Sequence, residues 1–352
     1  MTWSKNATIL GIVGPYPPHI GGTATFLSHL VPLLEDEGIR CVVFNTQKGK
    51  PGSGIIERLS RLSFFSFLAG KVLFSPCKIV HCHAVNWSNL IGHAIILTLN
   101  RPFRKTVLTL HAGDLLAKIT GQRTRLIARW VLRLPHVVTT VTPELRDAVL
   151  KTGCRQVFFI PNDLPYIDAA AGSIPEETQR FISARWPVIV SVGALERVHG
   201  IDALVRAVPA VKEIYPELGV VVIAYKSIDL AYRGEVNALV SGLHLEDAII
   251  FPDELPDVLA VVKQANVFVR PALSDGDSIA VREALALGVP VVASQTGFRP
   301  QGVLLFPPGD AVQLAARIKE ALTLPKQPPV TTDASPTTIQ RYLDVYTLAL
   351  QS

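Results

Sequence analysis

The sequence predicts an α/β protein built from two doubly wound domains. Strand and helix patterns alternate from one end to the other, which is the signature of parallel sheets assembled from strand-helix-strand units. A stretch rich in Pro and small residues, Pro161 to Trp186, breaks that rhythm near the middle. The length of 352 residues also exceeds what one hydrophobic core usually organises. In such sheets ligands bind beyond the carboxyl ends of the strands, so a cleft where the two domains face each other is the expected site.

The elements follow in order. Ala7 to Val13 is an apolar run that reads as the first strand, and a loop from Gly14 to Gly22 follows it. Ala24 to Glu37 has helical spacing and stops at Gly38, a residue suited to a left-handed C-cap. Further strands are expected at Cys41 to Asn45, Ile79 to Cys82, Thr106 to Leu110, Val137 to Val141 and Val157 to Ile160. Helical spacing recurs at Asn89 to Leu99, Thr124 to Leu134 and Glu144 to Lys151. These elements make a first domain over residues 1–165, and residues 166–186 read as a linker. The second domain, residues 187–325, restarts with the strand Pro187 to Val192. Helix Asp202 to Ile214, strand Gly219 to Ala224, helix Arg233 to Ser241 and strand Ala248 to Phe251 come next. A strand Val267 to Val269, a polar turn, a helix and a strand Val289 to Ala293 follow, then Gly302 to Phe306 and a helix ending at Leu322. Residues 326–352 close the chain with an amphipathic helix, Ile339 to Leu350.

Composition narrows the class. Apolar residues make up 49% and charged residues 18%, which suits a packed globular chain and leaves no room for a long disordered tail. Cys41, Cys77, Cys82 and Cys154 form no paired framework, so a reduced, cytoplasmic compartment is expected. Met1 to Ala7 is polar and runs directly into a strand, unlike a signal peptide. No apolar run reaches the roughly 18 residues of a membrane span. The net charge of +5 gathers in the first half. Arg58, Arg61 and Lys71 flank Phe64, Phe65 and Phe67, and Arg101, Arg104, Lys105, Lys118, Arg123, Arg125, Arg129 and Arg133 follow. Two readings stay open: a peripheral surface on an anionic membrane, or ordinary amphipathic helices with their Phe side inward. No nucleic-acid-binding motif accompanies the charge.

The densest chemistry lies between Asn266 and Ser294. Asp275 and Glu283 bracket a Gly-containing turn and the start of a helix, with seven residues between them. A strand that ends in such a turn and opens a helix gathers free backbone N–H groups and a positive dipole at one point, a site for phosphate or sugar oxygens. Carboxylates on either side accept hydrogen bonds from hydroxyls. The combination suggests recognition of a nucleotide sugar. Cys77, His81, Cys82 and His83 invite a metal reading, but His81 and His83 share one strand face and Cys82 takes the other, so no tetrahedral set converges.

Several segments in order resemble the two-Rossmann-domain (GT-B) glycosyltransferases, specifically the retaining family 4, over essentially the whole chain. They are Gly21-Gly22, Val80 to His83, Thr109 to Asp114, Ile160-Pro161-Asn162, Val192-Gly193, the block from Asp275 to Ser294, and Phe306 to Asp310. The resemblance implies two Rossmann-like domains and transfer from a nucleoside-diphosphate sugar to a glycan or lipid-linked acceptor. It implies no metal cofactor, and a last helix that crosses back to the first domain. By the same resemblance Gly21 and Gly22 contact the donor diphosphate, and His111 points at the transferred sugar. Asp275 holds sugar hydroxyls, Glu283 accepts from the ribose, and the N–H groups of Gly276, Asp277 and Ser278 face sugar or phosphate oxygens.

The departures are specific. The family pattern has Glu at the position of Asp275, and an Arg and a Lys clamp the diphosphate where this chain has Ala194 and His199. Arg270, Arg299 and Arg197 are the candidate replacements, since a guanidinium matches phosphate bidentately. Arg282 is read as a solvated position. Asp114 is read as a cap for the helix that follows it. Two rival readings remain: a sugar-nucleotide epimerase on the same architecture, or a non-catalytic sugar-binding homologue. Convergence of Arg270 and Arg299 beside Asp275 would weigh against the second.

Overall fold

The computed structural model describes residues 8–17, 21–47, 61–111, 114–164, 172–224, 229–252, 255–325 and 337–352. The chain divides into two units, Met1–Leu164 with Asp333–Ser352, and Pro165–Thr332. Ala112, Gly113, Arg58 and the linker residues 166–171 lie outside the described residues.

Unit 1 is a parallel sheet with helices on both faces. Its strands are β1 (Ile9–Gly14), β2 (Arg40–Asn45), β3 (Ile79–Ala84), β4 (Lys105–Leu110), β5 (Val137–Thr140) and β6 (Val157–Phe159). They lie in the order β2-β1-β3-β4-β5-β6, every pair parallel. The helices are α1 (Gly22–Asp36), α2 (Arg61–Leu73), α3 (Trp87–Asn100), α4 (Asp114–Thr120), α5 (Arg125–Val131), α6 (Pro143–Leu150) and α13 (Thr338–Gln351). Buried parallel strands need apolar residues on both faces. β3 departs from this: Val80 and Cys82 enter the aliphatic core with Leu97, Leu108 and Val138, while His81 and His83 project from the opposite face. α2 settles how its aromatics are used, with Phe64 and Phe65 buried in that core and Phe67 partly exposed beneath the Lys71 ammonium. α13 packs in unit 1, where Tyr342 and Tyr346 are fully buried.

Unit 2 has β7 (Val188–Val192), β8 (Gly219–Ile223), β9 (Ile249–Ile250), β10 (Val267–Arg270), β11 (Val291–Ser294) and β12 (Val303–Phe306). Their order is β12-β11-β10-β7-β8-β9, again all parallel. The chain runs outward from β7 to β9, then jumps back to β10 on the other side of β7. That reversal is a topological switch point, where a crevice opens outside the carboxyl ends of the two strands. The helices are α7 (Glu176–Ser183), α8 (Ile201–Lys212), α9 (Leu230–Gly242), α10 (Val258–Gln264), α11 (Ile279–Ala286) and α12 (Ala311–Thr323). Successive strand residues feed opposite cores: Ile189, Val220, Val222 and Val269 pack with α8, α9 and α12, while Val190, Val221, Phe268 and Val291 pack with α7, α10 and α11. α7 lies inside the stretch read from sequence as linker. It is a short helix that buries only Thr178 and Ile182, too few for a legible stripe, with Glu176 and Glu177 in its first turn complementing the N-terminal dipole.

Among the described residues no helix is long and apolar enough to cross a membrane.

Candidate functional site

The candidate residues of unit 2 meet at the carboxyl ends of β7 and β10, at the switch point. β10 ends on Arg270, a residue only 8% exposed. Its Nε and Nη2 donate to Oδ2 and Oδ1 of Asp275 at 3.0 and 3.2 Å, and its Nη1 donates to the Val192 carbonyl at 2.8 Å. Arg299, from the loop after β11, donates its Nη2 to the same Asp275 Oδ2 at 3.0 Å and its Nε to the Ser294 carbonyl at 3.1 Å. Arg270 and Arg299 therefore converge beside Asp275. Burial alone would push the Asp275 carboxyl up; the charges and hydrogen bonds of Arg270 and Arg299 outweigh it and hold the group well below the usual carboxylate range. Two guanidinium charges against one carboxylate leave this cluster net positive.

The backbone is shaped around the cluster. A Cβ at Gly193 would stand 2.9 Å from Arg270 Nη1 and 3.5 Å from the His199 ring, so the residue after β7 must be glycine for Arg270 to lie across it. Gly297 has φ +60°, and a Cβ there would collide with the Gly276 carbonyl. Phe298 N–H donates to that carbonyl at 3.0 Å, tying the loop after β11 to the Asp275 turn. The Gly276 N–H donates to Asp275 Oδ1 at 3.2 Å, so of the three N–H groups expected at the ligand this one is already engaged. Ser278 stands at the N-cap of α11 without a side-chain cap bond, and no acidic residue occupies the first turn. By contrast α10 and α12 begin with Asp257 and Asp310 capping their first N–H groups. Arg282 is not solvated as read from sequence: it is buried and donates to Asp277 Oδ1 at 2.8 Å, with Phe298 stacked near its guanidinium. Asp277 supplies the counter-charge that makes its burial tolerable.

Glu283, on α11, is buried to 9% exposure. Among the described residues no hydrogen bond reaches its carboxylate, and burial pushes its pKa up to about 7. His199 is similar in kind. Its Nδ1 is buried with no hydrogen-bond partner among the described residues, and burial, then the Arg270 charge, pull its pKa down to about 4. An unsatisfied buried polar atom such as His199 Nδ1 is costly to the folded chain by itself. Arg197, the third clamp candidate, is exposed and donates to Glu235 at 2.7 Å over the Tyr232 ring, away from Asp275.

Unit 1 holds the remaining candidates. His111 follows β4, with Phe26 edge-on to its ring at 5.5 Å. Its Nε2 is 2.9 Å from His83 Nδ1. The His83 ring lies 4.0 Å from that of His81, whose Nδ1 meets the Tyr346 hydroxyl at 2.8 Å and whose Nε2 meets Thr109 Oγ1 at 2.6 Å. Burial pulls the pKa of His81 and of His111 down to about 3, so both rings are neutral at pH 7. The His81/His83 spacing gave the shared face; the tyrosine partner had no sequence signal. Among the described residues no group of three or more His, Cys, Asp or Glu is placed to hold a metal. Gly21 is the N-cap of α1 and Gly22 its first residue, again without a side-chain cap or an early acid. Asp114, expected to cap the helix after it, is the first residue of α4, and both of its oxygens accept from Trp87 N–H at 3.2 Å, at the start of α3.

Fold and site together define a class. The chain superposes on sucrose-phosphate synthase from Thermosynechococcus elongatus with a TM-score of 0.67, over 98% of this chain and 97% of that one at 20% identity. It matches Anabaena HepE in complex with UDP and glucose equally well, with a TM-score of 0.67 over 98% and 97% at 19% identity. The fold is the two-domain α/β fold of GT-B glycosyltransferases. More particularly, residues 186–323 match the family described as glycosyl transferases group 1, which covers the switch-point site of unit 2. By sequence the chain is 28% identical to the lipopolysaccharide core biosynthesis mannosyltransferase LpcC of Rhizobium leguminosarum bv. viciae, over 60% of this chain and 62% of that protein. It is 29% identical to the colanic acid biosynthesis glycosyltransferase WcaL, so described only provisionally, of Salmonella typhimurium, over 75% of each chain.

Proposed function

We propose that the protein is a retaining glycosyltransferase. It would move a sugar from a nucleoside-diphosphate donor to a hydroxyl of a glycan or lipid-linked acceptor, in polysaccharide or lipopolysaccharide-type biosynthesis. The observation that carries the proposal is the convergence of Arg270 and Arg299 on Asp275 at the switch point of a group 1 domain. Two guanidinium groups, one from β10 and one from the loop after β11, would take the place of the Arg and Lys clamp that Ala194 and His199 lack. A net-positive cluster beside an uncapped helix N-terminus suits a diphosphate, and the similarity to a structure described with UDP and glucose supports the same ligand class.

Each residue then has a task. Arg270 and Arg299 stabilise the charge that develops on the leaving diphosphate, with the buried Nδ1 of His199 offering a further contact. Glu283 accepts from the ribose hydroxyls, while Asp275, whose two oxygens already take Arg270, Arg299 and the Gly276 N–H, holds the two arginines in place for the donor. In unit 1 the transferred sugar's contacts are assigned to His111, Gly21 and Gly22. No side chain is assigned as a nucleophile. The bond from the anomeric carbon to phosphate breaks, the acceptor oxygen bonds to that carbon on the same face, and a departing phosphate oxygen takes the acceptor proton. The protein contributes positioning and charge. The arginines take the cationic role, so we assign no metal and expect transfer to survive chelation by EDTA. Free cysteines at all four positions support the cytoplasm as its compartment.

The test is a thermal-shift panel of UDP-, GDP- and ADP-sugars, repeated on Glu283→Ala and Arg270→Ala and followed by assay of the released diphosphate. A donor at a hundred times its dissociation constant adds about 2.7 kcal/mol of stability. A shift with one nucleotide class, lost in both variants, is expected. Absence of any shift or turnover across the panel, with acceptor glycans present, would return the reading to a non-catalytic homologue.

A further inference from the structure

We infer that α5 and the loop before it form a docking surface for an anionic phospholipid bilayer, an inference independent of the transfer reaction. From Leu115 to Pro143 the chain carries Lys118, Arg123, Arg125, Arg129 and Arg133 and no Asp or Glu, a local charge equal to the +5 of the whole chain. Among the described residues none of these five side chains has an ion-pair partner. Like charges kept together without counter-ions are unfavourable to the folded chain by itself, which points outward to a partner of opposite sign.

α5 also has two apolar edges, and unit 1 covers one of them. Ala128 and Val131 are buried on the inner edge. Leu126, Ile127 and Trp130 stand outside at 70, 49 and 58% exposure. At about 100° per residue those three fall within an arc of roughly 100°, Arg125 and Arg129 line the side of the helix next to it, and Arg133 follows in the turn after the helix. This is the arrangement of a helix lying in a bilayer interface. Leucine, isoleucine and tryptophan enter the headgroup and upper acyl region, and the arginines extend sideways to lipid phosphates. The charge decides between occupants. A second copy of this chain would bring the same cations face to face, whereas an anionic leaflet attracts every one of them.

The experiment is co-sedimentation of the full chain with vesicles of phosphatidylcholine alone and of phosphatidylcholine with phosphatidylglycerol, at low and high salt. Binding to the anionic vesicles only, weakened by salt, is expected. The variant Arg125→Gln/Arg129→Gln/Arg133→Gln should lose on the order of 100-fold in partition coefficient. Leu126→Ser/Trp130→Ser should also lose binding with its circular dichroism unchanged, while Arg206→Gln/Arg233→Gln in unit 2 should bind like the native chain. Equal binding to neutral vesicles, no binding to either, or an equal loss in the unit 2 variant would overturn the inference. So would a dimer in light scattering that Trp130→Ser dissolves.

Discussion

At the scale of single residues, Glu283 gives the sharpest test. Its pKa is raised by burial to about 7 from an ordinary value of 4.5. The folded state therefore holds this proton more tightly than the unfolded chain. The stability it contributes is complete below pH 4.5 and is lost as the pH rises through 7. A ribose that donates to the carboxylate selects the ionised form. Affinity for the nucleotide sugar should then rise about tenfold from pH 6 to pH 8, read by titration calorimetry, and be flat in Glu283→Gln. The histidines of unit 1 run the other way. His81 and His111, pulled down to about 3 by burial, take up protons less readily folded than unfolded. Their stability is complete above pH 6.5 and lost as the pH falls toward 3, so denaturant midpoints should drop across that window. Glu283 and Arg270 were legible from sequence because a charged residue on an apolar strand or helix face stands out. The fate of Arg282 was not, because its partner Asp277 is hidden in the same turn that suggested a ligand site.

At the scale of elements, the site depends on how close one backbone comes to another. The Asp275 turn and the loop after β11 touch through Gly297, whose left-handed φ and missing Cβ admit the Gly276 carbonyl. Gly297→Ala should therefore lower stability by about 1–3 kcal/mol and weaken donor binding, both measurable in one thermal-shift titration. Spacing of apolar residues placed the strands and, apart from α2, the longer helices to within a few residues, since each buries a face with a clear period. Short helices such as α7, α4 and α10 were not legible. They bury one or two side chains each and are held by the units they join rather than by their own pattern.

At the scale of the whole molecule, alternation predicted two α/β folds, and the strand order of unit 2 puts its switch point beside the residues chosen from sequence. What no local pattern carries is the pairing of distant segments. The Tyr346 hydroxyl reaches His81 Nδ1 across 265 positions of chain. Tyr346→Phe should leave that buried nitrogen unpaired and lower stability by about 1–3 kcal/mol in chemical denaturation. The same contact sets an order of assembly. Because α13 follows all of Pro165–Thr332 in the chain, unit 2 is complete in sequence while unit 1 still lacks a helix. Until α13 arrives, His81 and the ring of Phe26 face water that the finished protein excludes. A released chain truncated before Thr338 should be sensitive to protease in its first half and resistant in its second.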